Sequence, residues 1–509
     1  MNTFRLRKNQ WCTAVILLCW FWMNLWVALR YEPWRDVAQS WMIARKLSLP
    51  ELFAQLKYEG HPCLWFLLLM PLAKLGLPYA SVIVLSFGLT LLGLWLFLRR
   101  APFSWPVKLA VVFSAAGMYY LPVVARSYAL VPALLMLIYA GYPLRYSRPL
   151  PYAALLFLLC QVHVILCGLV GMLMLQWALG APRAARRGES GPARLAAALL
   201  IMLAGVAFFG WQLEGAVDAN QAVAIRDWTD LAYMRRELCT ALGRGGWYLT
   251  TIQLYEQGNT AWLFLLLPTA VAAAALAVVW LLRAPRSACL MLAAFAWQTG
   301  VHTLVYSAHM QHMVTFLWAA VFCVMLAKDE LALPPGGETR PADRRLARAL
   351  AAVTAALCLL TFARAYPAMR DECSDSGVTS DSAAVAEYLQ TELPKTAVVL
   401  IDNEDTAPAV AAYLPDGVLY NPFRHNGHLF SLHEETPGGW CATGDLDAEI
   451  ALLRAGGRSG PFYLLVDWRT EAEALAMGDR SAVKLELIAR FSHDSAFERF
   501  LLYRVTEPS

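Results

Sequence analysis

The residues best suited to chemistry gather in the first polar stretch of the chain. It reads Tyr31-Glu32-Pro33-Trp34-Arg35-Asp36-Val37-Ala38-Gln39-Ser40-Trp41, then Tyr58-Glu59-Gly60-His61-Pro62-Cys63-Leu64-Trp65-Phe66. Asp36 sits among Trp34, Trp41, Tyr31 and Arg35. A carboxylate among aromatic rings suits a general base, although a charge at a helix start is also favoured simply by the helix dipole. His61-Pro62 opens a short apolar run. Proline is ordinary at a helix start, but a histidine beside a helix N-terminus also makes a site for an anion such as phosphate. Lys57, Glu59 and Arg126 could surround the same anion. Arg126 lies at the end of a later apolar run, where it needs water or a negative partner.

A second group is His302, His309 and His312. The spacing of His309 and His312 suits a metal on a helix, but no acidic partner lies nearby in sequence. Histidines anchored at an interface or touching substrate are the preferred reading, and no metal is predicted. The segment Glu214–Asn259 mixes Asp218, Arg226, Asp227, Asp230, Arg235, Arg236 and Glu237, as a solvated, charge-balanced helix would; acceptor binding is the alternative reading. No cofactor can be named from the sequence.

These residues must be held by apolar helices. Hydrophobic residues make up 59% of the chain and charged residues 16%, against roughly 25% charged in soluble domains. The chain is therefore expected to be a polytopic α-helical membrane protein. A net charge of +4 gives no case for nucleic acid, and membrane lipids are the expected surroundings. The Ala-, Leu- and Arg-rich composition fits a bacterial cell envelope. Arg5, Arg7 and Lys8 precede the run Trp11–Leu29. That run is long enough to span hydrocarbon and lacks a small-residue cleavage site, so it reads as a first helix with a cytoplasmic N-terminus. Residues 30–77 then lie outside as juxtamembrane helices, including an amphipathic helix over Trp34–Leu47. Cys63–Leu75 is too short to cross and is interrupted by Lys74; it reads as an interfacial or re-entrant helix. Further spans follow, among them Tyr79–Leu98, Leu109–Val124, Leu130–Tyr142 and a hairpin over Leu150–Leu179 with His163 at its tip. Arg-rich turns (Arg99-Arg100, Arg145, Arg148, Arg183, Arg186, Arg187) fall on one side. The total is about eleven spans over residues 1–363.

Composition changes at Arg364. Residues 364–380 read as a linker and 381–509 as an extracytoplasmic α/β domain. Helices are expected at Ala383–Glu392, Ala407–Leu414 and Leu446–Leu453. Buried strands are expected at Ala397–Asp402, Val418–Tyr420 and Phe462–Trp468, with Lys484–Phe491 and Phe500–Val505 as a closing pair. No phosphate-binding glycine motif occurs, so the domain receives no nucleotide site. Of the 11 cysteines, most sit inside apolar runs as small hydrophobes; Cys373 and Cys441 could pair outside the cell.

The order of these features resembles the GT-C superfamily of membrane glycosyltransferases, in particular the protein O-mannosyltransferase and lipid A aminoarabinose transferase branch. The matching residues are Arg35-Asp36-Val37-Ala38, His61-Pro62-Cys63-Leu64-Trp65-Phe66, Arg99-Arg100 and Ala125-Arg126-Ser127-Tyr128-Ala129-Leu130. The resemblance covers most of the membrane part. It implies a polyprenyl-phosphate sugar donor and a lipid, glycan or protein acceptor at the outer leaflet. Asp36 would deprotonate the acceptor hydroxyl, while His61, Arg126 and Lys57 would hold the donor phosphate. Glu32, Glu59, Tyr128 and His309 are possible supporting residues. Two departures stand out: Cys63 replaces a second proline found in many relatives, and Ser127-Tyr128 stands where many carry an acidic residue. Glu32 or Glu59 would supply the missing carboxylate. The alternative function is a transporter or flippase of a lipid-linked saccharide, but no internal repeat is visible and mid-span polar residues are few, chiefly Gln161 and Gln298.

Overall fold

Apolar stretches of about 20 residues fold as helices because hydrocarbon offers no partner for backbone N–H and C=O groups. A computed structural model describes residues 3–214, 229–246, 261–306, 310–332, 340–372, 374, 380–427, 429, 439–493 and 498–506. The chain begins with α1 (Thr3–Ala28). The first loop carries α2 (Arg35–Lys46), α3 (Leu49–Glu59) and α4 (Leu64–Lys74). There follow α5 (Ser81–Arg100), α6 (Trp105–Val112), α7 (Leu130–Gly141), α8 (Pro149–Cys160), α9 (Cys167–Arg186) and α10 (Pro192–Gln212). The helical part closes with α11 (Leu231–Gly246), α12 (Ala261–Arg283), α13 (Pro285–Leu304), α14 (Met310–Ala332) and α15 (Pro341–Glu372).

Six helical segments among the described residues are long and apolar enough to cross a membrane: Gln10–Ala28, Ser81–Arg100, Ser127–Leu144, Val164–Arg186, Pro192–Gln212 and Pro341–Ala363. Leu64–Lys74 is a shorter apolar helix, matching the expectation for the run after His61-Pro62. The chain is thus a helical protein of multi-pass membrane type.

One expected span takes another form. Leu109–Val124 is not a continuous helix: α6 stops at Val112, a single π-helical turn covers Ala116–Tyr120, and the chain then runs irregularly to Arg126. Two residues explain the break. Pro122 cannot donate a helical hydrogen bond. Gly117 sits so close to the preceding turn that a Cβ there would lie 2.2 Å from the Val112 carbonyl oxygen. The Gly117 carbonyl is instead capped by the Trp20 indole N–H of α1, at 2.7 Å. α15 continues past 364 to Glu372, and Ala363-Arg364-Ala365 is good helix sequence.

The helices run back and forth between two ends. At one end the arginine-rich turns are tied together: the Trp177 indole donates to the Arg145 carbonyl at 2.9 Å, Gln176 to the Arg286 carbonyl at 2.8 Å, and Arg283 approaches Asp343 at 3.5 Å. At the other end the first loop is fastened by a buried amide chain. Gln161 donates to the Gly205 carbonyl at 3.0 Å, Gln212 to Gln161 Oε1 at 2.6 Å, and the Cys63 backbone N–H to Gln212 Oε1 at 2.8 Å.

The C-terminal domain is built on a mixed five-stranded sheet of order β2-β1-β3-β5-β4, where β1 is Val398–Ile401, β2 Leu419–Tyr420, β3 Phe462–Asp467, β4 Lys484–Phe491 and β5 Phe500–Thr506. β1 pairs in parallel with β2 and β3, while β5 is antiparallel to β3 and β4. Strands β1 and β3 are buried throughout, as continuous apolar runs require. The helices are α16 (Ser382–Thr391), α17 (Ala407–Ala411), α18 (Leu446–Ala455) and α19 (Glu471–Arg480). The strands and first three helices fall where the sequence pattern puts them; α19 was not anticipated. Cys441 is buried, and Cys373 lies outside the described residues.

This domain docks on the first loop. Glu32 accepts from the Ala383 N–H at the start of α16, at 2.6 Å, and Glu498 accepts from the Arg35 N–H at 3.0 Å. Arg45 and Lys46, in the last turn of α2, both pair with Asp416. Burial is the main cause that raises the Glu32 and Glu498 carboxyls to about 7; the Asp381 and Glu498 charges push Glu32 further in the same direction. A carboxyl raised on folding favours its protonated form in the folded state. Its contribution is full below the unfolded value of about 4.5 and fades as pH rises through about 7. The melting temperature of the full chain in detergent should therefore fall between about pH 5 and pH 7, and Glu32→Gln combined with Glu498→Gln should flatten that slope.

Candidate functional site

The site begins with α2. Its first turn carries Asp36, and the i, i+3 spacing brings Gln39 onto the same face. α3 follows at once because Ser48 and Glu51 form a capping box, with Glu51 accepting from the Ser48 N–H at 2.7 Å. It ends at Gly60, whose φ of 62° is the left-handed conformation that lets the chain turn sharply. That turn presents Glu59 and His61 to Asp36. From the bundle, the irregular stretch after the π-turn presents Arg126. The preceding Ala125 has φ 51° and is buried; for a residue with a Cβ this is a strained conformation, and such strain collects at functional sites.

Arg126 is the hub. Its side chain is only 12% exposed. One terminal nitrogen ion-pairs with Asp36, and the other lies 3.3 Å from His61 Nε2. The far ring nitrogen of His61, Nδ1, is 2.7 Å from the Glu59 carbonyl oxygen. A carbonyl only accepts, so Nδ1 is assigned the proton and Nε2 offers its lone pair to Arg126. The neutral form is consistent with the environment: burial first, and the Arg126 charge second, lower His61 to about 4. His61 thus orients Arg126 rather than adding a second cation.

Glu59 accepts from Gln55 at 2.8 Å and Gln39 at 3.0 Å. Burial raises its carboxyl to about 7, and the nearby Asp36 adds to the rise while both glutamines oppose it. Asp36 and Glu59 are therefore unlike carboxylates: one faces a guanidinium, the other two neutral amides. They line a cavity of about 110 Å³ with Arg35, His61, Arg126 and Trp65. Asp405, from the sheet domain, also lines it and lies 3.7 Å from Arg35.

Of the residues singled out in the sequence, Asp36, His61, Glu59 and Arg126 meet in this cavity. Tyr128 is one layer behind, fully buried, with its hydroxyl 3.3 Å from His163 Nε2. The ring of His163 lies 5.3 Å from that of His61 and 5.8 Å from that of His312. His302 stacks on His312 at 5.3 Å. The histidines of three distant segments thus form one buried aromatic layer behind the cavity. Among the described residues, no group of histidine, cysteine and carboxylate side chains has the arrangement to hold a metal. Glu32 does not reach the cavity but anchors the sheet domain. Lys57 is not among the lining residues either; its neighbour Tyr58 takes that face of α3. His309 lies outside the described residues. Gln39 was missed although its spacing from Asp36 signals it. Asp405 was also missed, and no local pattern marks it, since it arrives from a separate domain.

The chain matches no protein-family model, and no curated protein is significantly similar to it.

The hub arrangement has a measurable consequence. In an Arg126→Met variant the His61 ring should titrate above its present value of about 4, because a repelling charge is gone. It should stay below about 6.5, because burial remains. Nitrogen NMR of histidine-labelled protein reads the shift directly; an unchanged titration would mean that Arg126 does not act on this ring.

Proposed function

We propose that the protein is a glycosyltransferase that moves a sugar from a polyprenyl-phosphate donor to a hydroxyl of a lipid, glycan or protein acceptor. The observation that carries this reading is the pairing of Asp36 with Arg126 in a polar cavity at the helix ends, beside the short apolar helix α4 and beneath a docked sheet domain. A site at the rim of a helical bundle suits a substrate whose reactive group is tethered to lipid. The resemblance of the first-loop and Arg126 segments to GT-C enzymes points the same way.

In the reaction, the acceptor oxygen attacks the anomeric carbon and forms the new glycosidic bond. Asp36 takes the hydroxyl proton. The bond between the anomeric carbon and the phosphate oxygen breaks, and the polyprenyl phosphate leaves with that electron pair; the anomeric configuration inverts. Arg126 stabilises the charge gathering on the leaving phosphate. A phosphate drawn to Arg126 competes with Asp36 for the guanidinium, which frees Asp36 to accept a proton as donor binds. Lys57, from its position on α3, would act on the phosphate only from outside the cavity wall.

The finer topology belongs to the same reading. Counting α6 with its π-turn, α8, α12, α13 and α14 beside the six segments long and apolar enough to cross gives eleven crossings of a GT-C-like bundle. The positive-inside rule then assigns the arginine-rich end to the cytoplasm and the site and sheet domain to the extracytoplasmic face.

The test is transfer from a radiolabelled polyprenyl-phosphate sugar in proteoliposomes. Asp36→Asn should lower the rate by about 10²–10⁴-fold, the usual weight of a general base, while folded protein persists in the membrane. Native-like transfer by this variant would remove Asp36 from the mechanism. Donor lipid crossing the bilayer without a new glycosidic bond would instead favour a flippase.

A further inference from the structure

The arginine-rich end of the bundle, opposite the sheet domain, contains a second and larger cavity of about 550 Å³. It lies between the α7–α8 turn, the second half of α9 and the start of α13. Its polar lining includes Arg145, Arg183, Arg286, Tyr146, Tyr152 and Gln176. Nothing in the reaction proposed above uses it.

Three observations give the cavity a ligand chemistry. First, it is cationic. Arg187 at its edge is offset by Glu189 at 3.8 Å, but Arg145, Arg183 and Arg286 form no ion pair among the described residues. The nearby Glu330 carboxylate is occupied by the Arg286 and Ser287 backbone N–H groups and the Ser287 hydroxyl, at 2.9–3.2 Å. Second, the site is built. The Arg145 guanidinium is clamped over the Tyr142 and Tyr146 rings at 4.0 and 4.9 Å, and donates to the Tyr142 carbonyl at 2.6 Å. The Tyr146 hydroxyl fits against Gly180 so closely that a Cβ there would come within 1.9 Å of it. Third, two buried polar atoms on the wall lack a partner: the Tyr152 hydroxyl, on a residue only 2% exposed, and Gln176 Oε1. Buried polar groups are normally paired. The first can donate a hydrogen bond and the second can accept one.

We propose that this cavity binds the phosphate of an anionic phospholipid with a hydroxyl-bearing headgroup, of the phosphatidylglycerol kind. The arginines and the Tyr152 hydroxyl would donate to the phosphate oxygens, and Gln176 Oε1 would accept from the headgroup hydroxyl. Leu179, 68% exposed, also lines the cavity and gives the acyl chains an apolar exit. Basic pockets between membrane helices are known to take such headgroups. A free phosphomonoester shares the phosphate chemistry but would make no use of that apolar exit.

The full chain in detergent is titrated with phosphatidylglycerol, phosphatidylcholine and glycerol 3-phosphate, and bound species are counted by native mass spectrometry. Phosphatidylglycerol should bind at least about tenfold more tightly than phosphatidylcholine. Arg183→Gln with Arg286→Gln should weaken it by about 25-fold, or about fivefold per charge. Tyr152→Phe, which preserves the packing, should weaken it by about fivefold. Arg100→Gln, at the same end but outside the cavity, should change nothing. The proposal is overturned if the arginine double variant and Tyr152→Phe both bind phosphatidylglycerol like the native chain. It is equally overturned if Arg100→Gln weakens binding as much as the double variant does, since the effect would then be general charge. Displacement of the lipid by an equal concentration of glycerol 3-phosphate would reassign the cavity to a soluble phosphate.

Discussion

The ion pair between Asp36 and Arg126 is the constraint on which the rest of the architecture depends. It joins two segments 90 residues apart, one from the first loop and one from a break between helices. Breaking a buried pair by removing one partner costs about 3–5 kcal/mol, because a charge is left unmatched. Asp36 keeps 34% of its side-chain surface exposed, so its loss falls at or below the low end of that range. Arg126 is the more enclosed partner, and it is Arg126 that the structure secures: by the strained Ala125 behind it, by the His61 lone pair beside it and by the layer of histidines beneath it.

The first loop can present Asp36 because its own polar groups are satisfied. Cys63 is instructive. Its backbone N–H donates to Gln212, which in turn is bound to Gln161. A proline there would leave Gln212 without that donor. A residue with a free N–H is thus required at 63, and Gln161, an isolated polar residue in an apolar hairpin, acquires a structural role.

Much of this was legible in the sequence. The short helix after His61-Pro62, the amphipathic α2 and the hairpin turning at His163 follow from run length and periodicity. In the sheet domain, short apolar runs separated by helices gave the strands nearly residue for residue. What was not legible has physical causes. The capping box at Ser48 and Glu51 announces α3, but the helix between them and Gly60 is short and easily read as loop. The break near Gly117 depends on a close backbone approach that no periodicity reveals. The convergence of His61, His163, His302 and His312 is purely tertiary: two loop positions, His61 and His163, meet two helical ones, His302 and His312, and no local pattern links them. In the sequence Glu32 stands, with Glu59, as a candidate for the carboxylate that Ser127-Tyr128 does not provide; it turns the other way, toward the start of α16.

Arg35 is held twice by the C-terminal domain, through its backbone by Glu498 and through its side chain by Asp405. Loop and tail therefore form one inheritable block, even though more than 300 residues separate them in the chain. Grafting the tail of a cousin onto this bundle would leave Arg35 facing unfamiliar surroundings unless its loop were grafted too. Divergence of this scaffold would have to proceed by paired changes in the first loop and the sheet domain, while the bundle between them keeps only Arg126 and the amides that hold the loop in place.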